Sequence, residues 1–165
     1  MYHKLTAEEQ MKQQADIVTI DRQGRWWYEG RQIIHPDVLA LFKQSLKKDA
    51  LTGELCIHYR DQTLPVEVES CPFFVRDIRV ARDAAGSLQG VTLLLDDETE
   101  EALDPESLRL NGHGVLEATV KKGEFTACCL PTAHFRLAGL FEESGAGGFQ
   151  LKLGGKAYPV LPSPS

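Results

Sequence analysis

Four side chains between residues 25 and 31 have the types and spacing of a binding site: Arg25, Trp27, Glu29 and Arg31. They alternate along a segment with high strand preference, and alternate side chains of a β-strand point to one face. An arginine can bind a carboxylate or a phosphate through two parallel hydrogen bonds, and tryptophan adds a flat apolar contact. The pattern therefore predicts a ligand- or partner-binding site at these four residues.

A structural interpretation of the same residues is also open. Trp27 would then pack beneath an N-terminal helix or a second lobe, and Glu29 would pair with Arg25 or Arg31. The enrichment of tryptophan and arginine at protein interfaces keeps the binding site as a candidate. Its expected occupant is an unknown protein or a small anionic ligand.

Motifs for catalysis, phosphate binding and metal binding are missing from the sequence. There is no G-x-S-x-G nucleophile elbow, and none of the five histidines has a second histidine or a cysteine four residues away. The glycine-rich segment 145–148 follows a predicted helix instead of preceding one, which disfavours a phosphate loop. The acidic run 96–101 has no glycine to bend it around Ca²⁺. We therefore predict no catalytic residue, no metal site and no cofactor.

Cysteine spacing predicts reduced, packed thiols. Cys56 and Cys71 lie in strand-like segments, Cys128 and Cys129 are neighbours, and no two cysteines have C-x-x-C spacing. A redox switch between Cys128 and Cys129 is the alternative. Strain in a ring closed between adjacent residues disfavours it.

Charge and hydropathy restrict the class of partner. The chain has 165 residues and a net charge of −6, which disfavours a general nucleic-acid surface and docking on anionic lipid. No apolar run approaches the roughly 20 residues of a membrane span. The first six residues lack the apolar core of a signal peptide. We expect a cytoplasmic protein that binds neither nucleic acid nor membrane.

A β-hairpin from Ile17 to Ile34 is the element predicted to position the candidate site. A β-branched run precedes a polar four-residue turn that ends at Gly24, and three adjacent aromatic residues follow the turn. Alternation predicts that Trp26 and Tyr28 face the core, while Trp27 is the more accessible of the three.

The remaining elements predict an α+β fold of two similar small lobes, each hairpin–helix–hairpin, with a short N-terminal helix. A capping box at Thr6 begins that helix, which runs to about Ala15. Apolar residues at helical spacing predict further helices from Pro36 to about Lys48 and from about Thr132 to Glu143. The predicted domains are a helical extension (1–16), a first lobe (17–81), a second lobe (88–161) and a disordered tail (162–165).

The two halves of the chain share a sequence pattern. The matched positions are Gly24-Arg25-Trp26 with Gly123-Glu124-Phe125, Leu41-Phe42 with Leu140-Phe141, and residues 53–66 with residues 147–160. The pattern predicts an internal duplication, and chance similarity between two α+β halves is the alternative.

These residues resemble an uncharacterised bacterial family, domain of unknown function 1285 (DUF1285). The resemblance covers roughly residues 17–160, and its most specific part is Ile20-Asp21-x-x-Gly24-Arg25-Trp26-x-x-Glu29-Gly30-Arg31-x-Ile33. It implies a two-lobed α+β fold with repeated motifs and no established activity. A role in signalling is only a suggestion for such proteins.

Two classes of function follow. The first is a non-enzymatic binding or regulatory module of unknown ligand, with bacterial signal transduction as its suggested setting. The missing catalytic motifs favour it. The alternative is an enzyme with an unrecognised active site between the two lobes.

Overall fold

The computed structural model describes residues 17–164. The predicted N-terminal helix from Thr6 to Ala15, and with it the predicted extension 1–16, lies outside the described residues. No helix in the described part of the chain is long and apolar enough to cross a membrane.

The described residues form sixteen strands, two α-helices and one 3₁₀ turn. The helices are α1 (Pro36–Ser45) and α2 (Pro131–Ala138), and the 3₁₀ turn is Pro105–Ser107. The strands in chain order are β1 Val18–Ile20, β2 Trp26–Tyr28, β3 Arg31–Gln32, β4 Lys47–Lys48, β5 Leu55–Tyr59, β6 Gln62–Val68, β7 Phe73–Arg82, β8 Leu88–Leu95, β9 Glu100–Ala102, β10 Arg109–Leu110, β11 Leu116–Val120, β12 Phe125–Cys129, β13 Glu142–Glu143, β14 Phe149–Leu153, β15 Lys156–Pro159 and β16 Leu161–Pro162.

The predicted α+β class with hairpin–helix–hairpin lobes is wrong, because sheets dominate the fold. Strands take up 46% and helices 14% of the described residues, and the strands form three sheets. Helix α1 ends at Ser45 and helix α2 at Ala138, well before the predicted ends at Lys48 and Glu143. The residues that follow form β4 and β13, and each pairs with the next strand. Sheet pairing therefore overrides the helical spacing of the apolar residues.

The first compact unit, Met1–Ser70, contains a six-stranded sheet in the order β3-β2-β1-β6-β5-β4. Strand β1 pairs in parallel with β6, and the other neighbours are antiparallel. Helix α1 begins at Pro36, where the fixed φ of proline suits the first helical position. Its Phe42 is buried with Trp26, and their ring centroids are 6.2 Å apart.

The second compact unit, Cys71–Ser165, contains the other two sheets. The larger has the order β16-β10-β11-β12-β7-β8-β9, and the smaller has the order β13-β14-β15. In the larger sheet β10 pairs in parallel with β16, and β12 pairs in parallel with β7. Helix α2 follows β12 directly and packs on β7. Strand β7 belongs to this unit, although the predicted first lobe extends to residue 81.

The predicted correspondence between the two halves is not supported in the form given. The turn after β1 is closed between Asp21 and Gly24, and the same pair of backbone hydrogen bonds recurs in turns that begin at Asp83, Leu95, Asn111 and Ser144, none of which ends at Gly123. Phe42 lies within α1, whereas Phe141 lies beyond the end of α2. The hairpins β5–β6 and β14–β15 pair in matching registers, but the first is part of the six-stranded sheet and the second belongs to a separate sheet.

We predict that Trp26→Ala lowers the free energy of unfolding by about 3–5 kcal/mol, as large-to-small aromatic changes in cores do. Trp26 is 1% exposed, while Trp27 and Tyr28 are both half-buried. Trp27→Ala is the matched variant and should cost less. Chemical denaturation of both variants measures the difference. A larger loss for Trp27→Ala would contradict the assignment of Trp26 to the core.

Candidate functional site

The side chain of Asp21 organises the predicted binding site. It is 6% exposed, and its Oδ1 accepts hydrogen bonds from the backbone N–H groups of Gln23 and Arg25, both at 2.9 Å. Its Oδ2 accepts from Arg25 Nε at 2.7 Å and from Trp27 Nε1 at 2.9 Å. One carboxylate thus closes the β1–β2 turn and fixes two of the four predicted site residues.

The four hydrogen bonds to Asp21 also decide its charge. Burial alone would raise the pKa of the carboxyl group, but the hydrogen bonds from Trp27 and Arg25 favour the ionised form and hold the pKa below its ordinary value. The Arg25 guanidinium lies 5.7 Å from the centre of the Trp27 ring, within the range of a cation–π contact. Half of the Arg25 side chain stays exposed. The result is an accessible cation held over an indole.

The other two predicted site residues are placed differently. Glu29 is exposed in the β2–β3 turn with a φ of 53°. Arg31 is exposed and lies opposite Tyr28 in the β2–β3 pairing, while Gln32 lies opposite Trp27. Directly opposed residues share a face of the sheet, so Arg31 is on the face opposite to that of Trp27. The structure therefore brings Arg25 and Trp27 together and places Glu29 and Arg31 apart from them.

A cavity of about 480 Å³ lies in the second unit. Nine of its ten lining residues have no polar side-chain atom: Leu110, Gly114, Leu116, Ala138, Phe141, Gly148, Phe149, Val160 and Pro162. The tenth is His134. Two of the lining side chains remain well exposed, Leu110 at 40% and Phe149 at 55%. The described chain thus has a concave apolar surface with one polar side chain.

The hydrogen bond of His134 fixes how this side chain can act. Its Nδ1 accepts from the backbone N–H of Leu116 at 3.3 Å. In the neutral ring the hydrogen must then be on Nε2, which becomes a donor. Helix α2 holds the ring in place, because the backbone N–H of His134 donates to the carbonyl oxygen of Leu130 in the first turn of the helix. The cavity can therefore offer one hydrogen-bond donor to a ligand.

Sequence reasoning missed this cavity because its lining comes from four separate segments, 110–116, 134–141, 148–149 and 160–162. The helical spacing predicts Phe141 within a helix that in fact ends at Ala138. In that helix Phe135 is 77% exposed, whereas Leu137 is buried. Only the helix start at Pro131, which places His134 one turn later, could have been read locally.

The second unit also contains a buried ion pair that is fully engaged. Lys121 Nζ lies 2.6 Å from Asp97 Oδ2 and 2.8 Å from Thr99 Oγ1. Burial would raise the pKa of Asp97, but the hydrogen bonds from Lys121 and Thr99 outweigh it and lower the pKa. These contacts join the β8–β9 and β11–β12 turns, which is a structural role.

The prediction of four reduced thiols is wrong for two of the cysteines. Cys71 and Cys128 form a disulfide, while Cys56 and Cys129 are free and buried. Burial raises the pKa of Cys129 to about 12. A thiol with so high a pKa is a poor nucleophile at neutral pH, because the thiolate is the reactive form.

Comparison with known proteins identifies the fold. No protein-family model and no curated protein matches the chain. A crystal structure of a DUF1285 family protein from Silicibacter pomeroyi DSS-3 superposes with a TM-score of 0.69 at 22% identity, covering 88% of this chain and 79% of that one. A DUF1285 family protein from Shewanella baltica OS155 gives 0.56 at 17% identity, covering 74% and 90%. The predicted resemblance to this bacterial family of unknown function is confirmed, and at these identities it shows a shared fold.

We predict that Asp21 contributes to stability in a pH-dependent way. Its folded-state pKa lies below the ordinary 3.8, so its contribution is present above that pH and is lost as the pH falls through the folded-state value. Asp21→Asn should lower the free energy of unfolding at pH 7, and its deficit should shrink below about pH 4. Denaturation at several pH values measures this, with the exposed Glu29→Gln as control. A deficit that is constant with pH would show that the charge of Asp21 is irrelevant.

Proposed function

We propose that the protein is a non-enzymatic binding module, and that the cavity of the second unit holds a compact apolar ligand with one hydrogen-bond acceptor. The observation that carries this proposal is the composition of the lining, in which a single polar side chain, His134, accompanies nine apolar or glycine positions. Ligand sites are commonly concave, mainly apolar and oriented by very few polar groups.

The volume and exposure of the cavity support a ligand of modest size. About 480 Å³ lies within the roughly 300–1,000 Å³ of small-molecule sites. Leu110 and Phe149 leave apolar surface in contact with water, and covering such surface is favourable by roughly 25 cal/mol per Å². A bound hydrocarbon chain or ring would supply that cover.

The donor on His134 favours a ligand that carries a carbonyl or carboxylate. His134 is half-buried, and a ligand that covered its N–H without accepting from it would leave this donor unsatisfied, at a cost of roughly 1–3 kcal/mol. An acceptor group on the ligand would satisfy the imidazole N–H while the rest of the molecule fills the apolar space.

The same lining supports binding over catalysis. Acid–base or nucleophilic catalysis needs at least two cooperating groups, such as a nucleophile and its base within hydrogen-bond reach. Among the described residues that line the cavity, His134 has no such side-chain partner. Holding and releasing a ligand requires only the shape and the single donor.

A second surface is a candidate for partner contact. The Arg25 guanidinium is exposed above the Trp27 ring and has one edge held by Asp21. This arrangement suits an anionic group that stacks beside the indole. Glu29 lies in the adjacent β2–β3 turn and Arg31 on the opposite face of the sheet, so neither belongs to this surface. A role in signal transduction also belongs to this proposal and rests on the sequence resemblance, whereas a cytoplasmic location rests on the hydropathy of the sequence.

We predict saturable binding of decanoate, a probe with an apolar chain and one carboxylate, detected by ¹⁵N–¹H NMR at the amides of the cavity lining. Ala138→Leu fills the cavity from helix α2 and should weaken binding at least about tenfold, equivalent to ~1.4 kcal/mol. Ala157→Leu makes the same change at an exposed position outside the lining and should bind as the native chain does.

Two results would count against this assignment. One is the absence of saturable shifts in the second unit. The other is equal weakening by Ala138→Leu and Ala157→Leu. Shifts confined to the indole N–H of Trp27 would instead move the site to the Arg25–Trp27 surface.

A further inference from the structure

The sheet of the second unit brings two sulfurs and a carboxylate to one point. Glu117 on β11 lies directly opposite Cys128 on β12, and Cys71 lies two residues before the start of β7, which is the other neighbour of β12. Glu117 Oε2 is 4.0 Å from Cys71 Sγ and 3.9 Å from Cys128 Sγ. Both cysteines are almost fully buried, at 3% and 2% exposure.

We propose that Cys71, Cys128 and Glu117 bind a thiophilic divalent cation, with Zn²⁺ as the test ion, when the cysteines are reduced. Formation of the Cys71–Cys128 disulfide would abolish the site. Two thiolates and one carboxylate are ligands that Zn²⁺ accepts, and three protein ligands leave a fourth position for water or a small ligand.

The geometry of the three donor atoms suits such an ion. With Zn–S near 2.3 Å and Zn–O near 2.1 Å, tetrahedral coordination places sulfur and oxygen roughly 3.6 Å apart. The observed sulfur–oxygen distances are within half an ångström of that value. The Cα atoms of the two cysteines are 5.8 Å apart. Once the disulfide is reduced, side-chain rotation alone can separate the sulfurs to roughly 3.8 Å.

Neighbouring polar groups hold the carboxylate as an outer shell holds a metal ligand. Ser163 Oγ donates to Glu117 Oε1 at 2.6 Å, and Asn111 Nδ2 is 3.4 Å from Oε2. Asn111 is itself fixed, because its Oδ1 accepts from the backbone N–H groups of His113 and Val115. Ligating carboxylates in metal sites are commonly oriented in this way. Ser163 therefore engages Oε1, and Asn111 donates to Oε2, which also lies beside the two sulfurs.

The disulfide sulfurs carry no hydrogen, so neither can donate to Oε2. Among the described contacts, Asn111 is then the donor to this oxygen. Reduction restores donors or, after loss of two protons, metal ligands. A cytoplasmic location, as predicted from the sequence, would keep the pair reduced. Local spacing could not show the site, since the cysteines are 57 residues apart.

The metal-bound dithiol and the disulfide are interconverted by oxidation and reduction of Cys71 and Cys128. Binding of Zn²⁺ to the two thiols and the carboxylate releases the two thiol protons. Oxidation removes two electrons and two protons from the dithiol and forms the sulfur–sulfur bond. Diamide, the oxidant used in the test, accepts both electrons and both protons, and its N=N bond is reduced to HN–NH. Zn²⁺ is then released because its sulfur ligands are consumed.

The test titrates the full chain with Co²⁺ and Zn²⁺ after reduction with a phosphine and removal of metal. We expect one ion per chain, a thiolate-to-Co²⁺ charge-transfer absorption, and loss of that absorption after treatment with diamide. Glu117→Gln and Cys71→Ser should each weaken binding at least about tenfold, as losses at or around metal ligands do. Cys56→Ser, at a buried free cysteine of the first unit, is the matched control and should bind normally.

Glu117→Gln preserves side-chain shape, and circular dichroism will show that it folds. Absence of binding by the reduced native chain would overturn the proposal. So would an absorption that persists after oxidation, or equal weakening by Cys56→Ser and Cys71→Ser. Binding by folded Glu117→Gln at native affinity would remove the carboxylate from the site and also contradict the proposal.

Discussion

The side chain at the first position of a hairpin turn is the constraint on which both candidate surfaces depend. In the first unit this residue is Asp21, and in the β10–β11 turn of the second unit it is Asn111; Asp83 forms the same two bonds in the β7–β8 turn. Each uses its Oδ1 to accept two backbone N–H groups, from the residues two and four positions later. Aspartate and asparagine are favoured in turns because their side chains can form these local bonds. The glycine that follows, Gly24 or Gly114, has the positive φ that the turn needs.

The remaining polar atom of the turn residue then decides which side chain suits the position six residues later. Asp21 offers an acceptor and receives the indole N–H of Trp27. Asn111 offers a donor and faces a carboxylate oxygen of Glu117. The two turn residues thus differ only in whether the side chain is a carboxylate or an amide. The carboxylate lies beside the arginine–tryptophan surface in the first unit, and the amide binds the Glu117 carboxylate beside two cysteines in the second.

Parallel pairing with a distant strand completes both arrangements. The backbone N–H of Glu69 donates to Ile20 after β6 joins β1, and the backbone N–H of Ser163 donates to Leu110 after β16 joins β10. The second pairing also brings the Ser163 hydroxyl to Glu117. Leu110 and Pro162, which pair there, line the apolar cavity. The cavity and the cysteine cluster therefore depend on the same strand contact.

What the sequence predicted well is local. A β-branched run, a polar turn and an aromatic run predicted the β1–β2 hairpin, and alternation identified Trp26 as a core residue. The predicted fold class is wrong because the short strand after each helix forms by pairing with a later strand, which the local sequence does not show. The Cys71–Cys128 pair, the position of Glu117 and the cavity beside His134 likewise depend on contacts between distant segments. No local spacing rule contains that information.

We infer that the turn residue and the side chain six positions later are energetically coupled. A double-mutant cycle of Asn111→Asp and Glu117→Gln, measured by chemical denaturation of the oxidised chain at pH 7 with a chelator, tests it most directly. Asn111→Asp sets two carboxylates against each other, and Glu117→Gln restores a donor to the pair. We expect the free energy of unfolding of the double variant to exceed, by about 1–3 kcal/mol, the value obtained by adding the effects of the two single substitutions. Additivity within about 0.5 kcal/mol would contradict it.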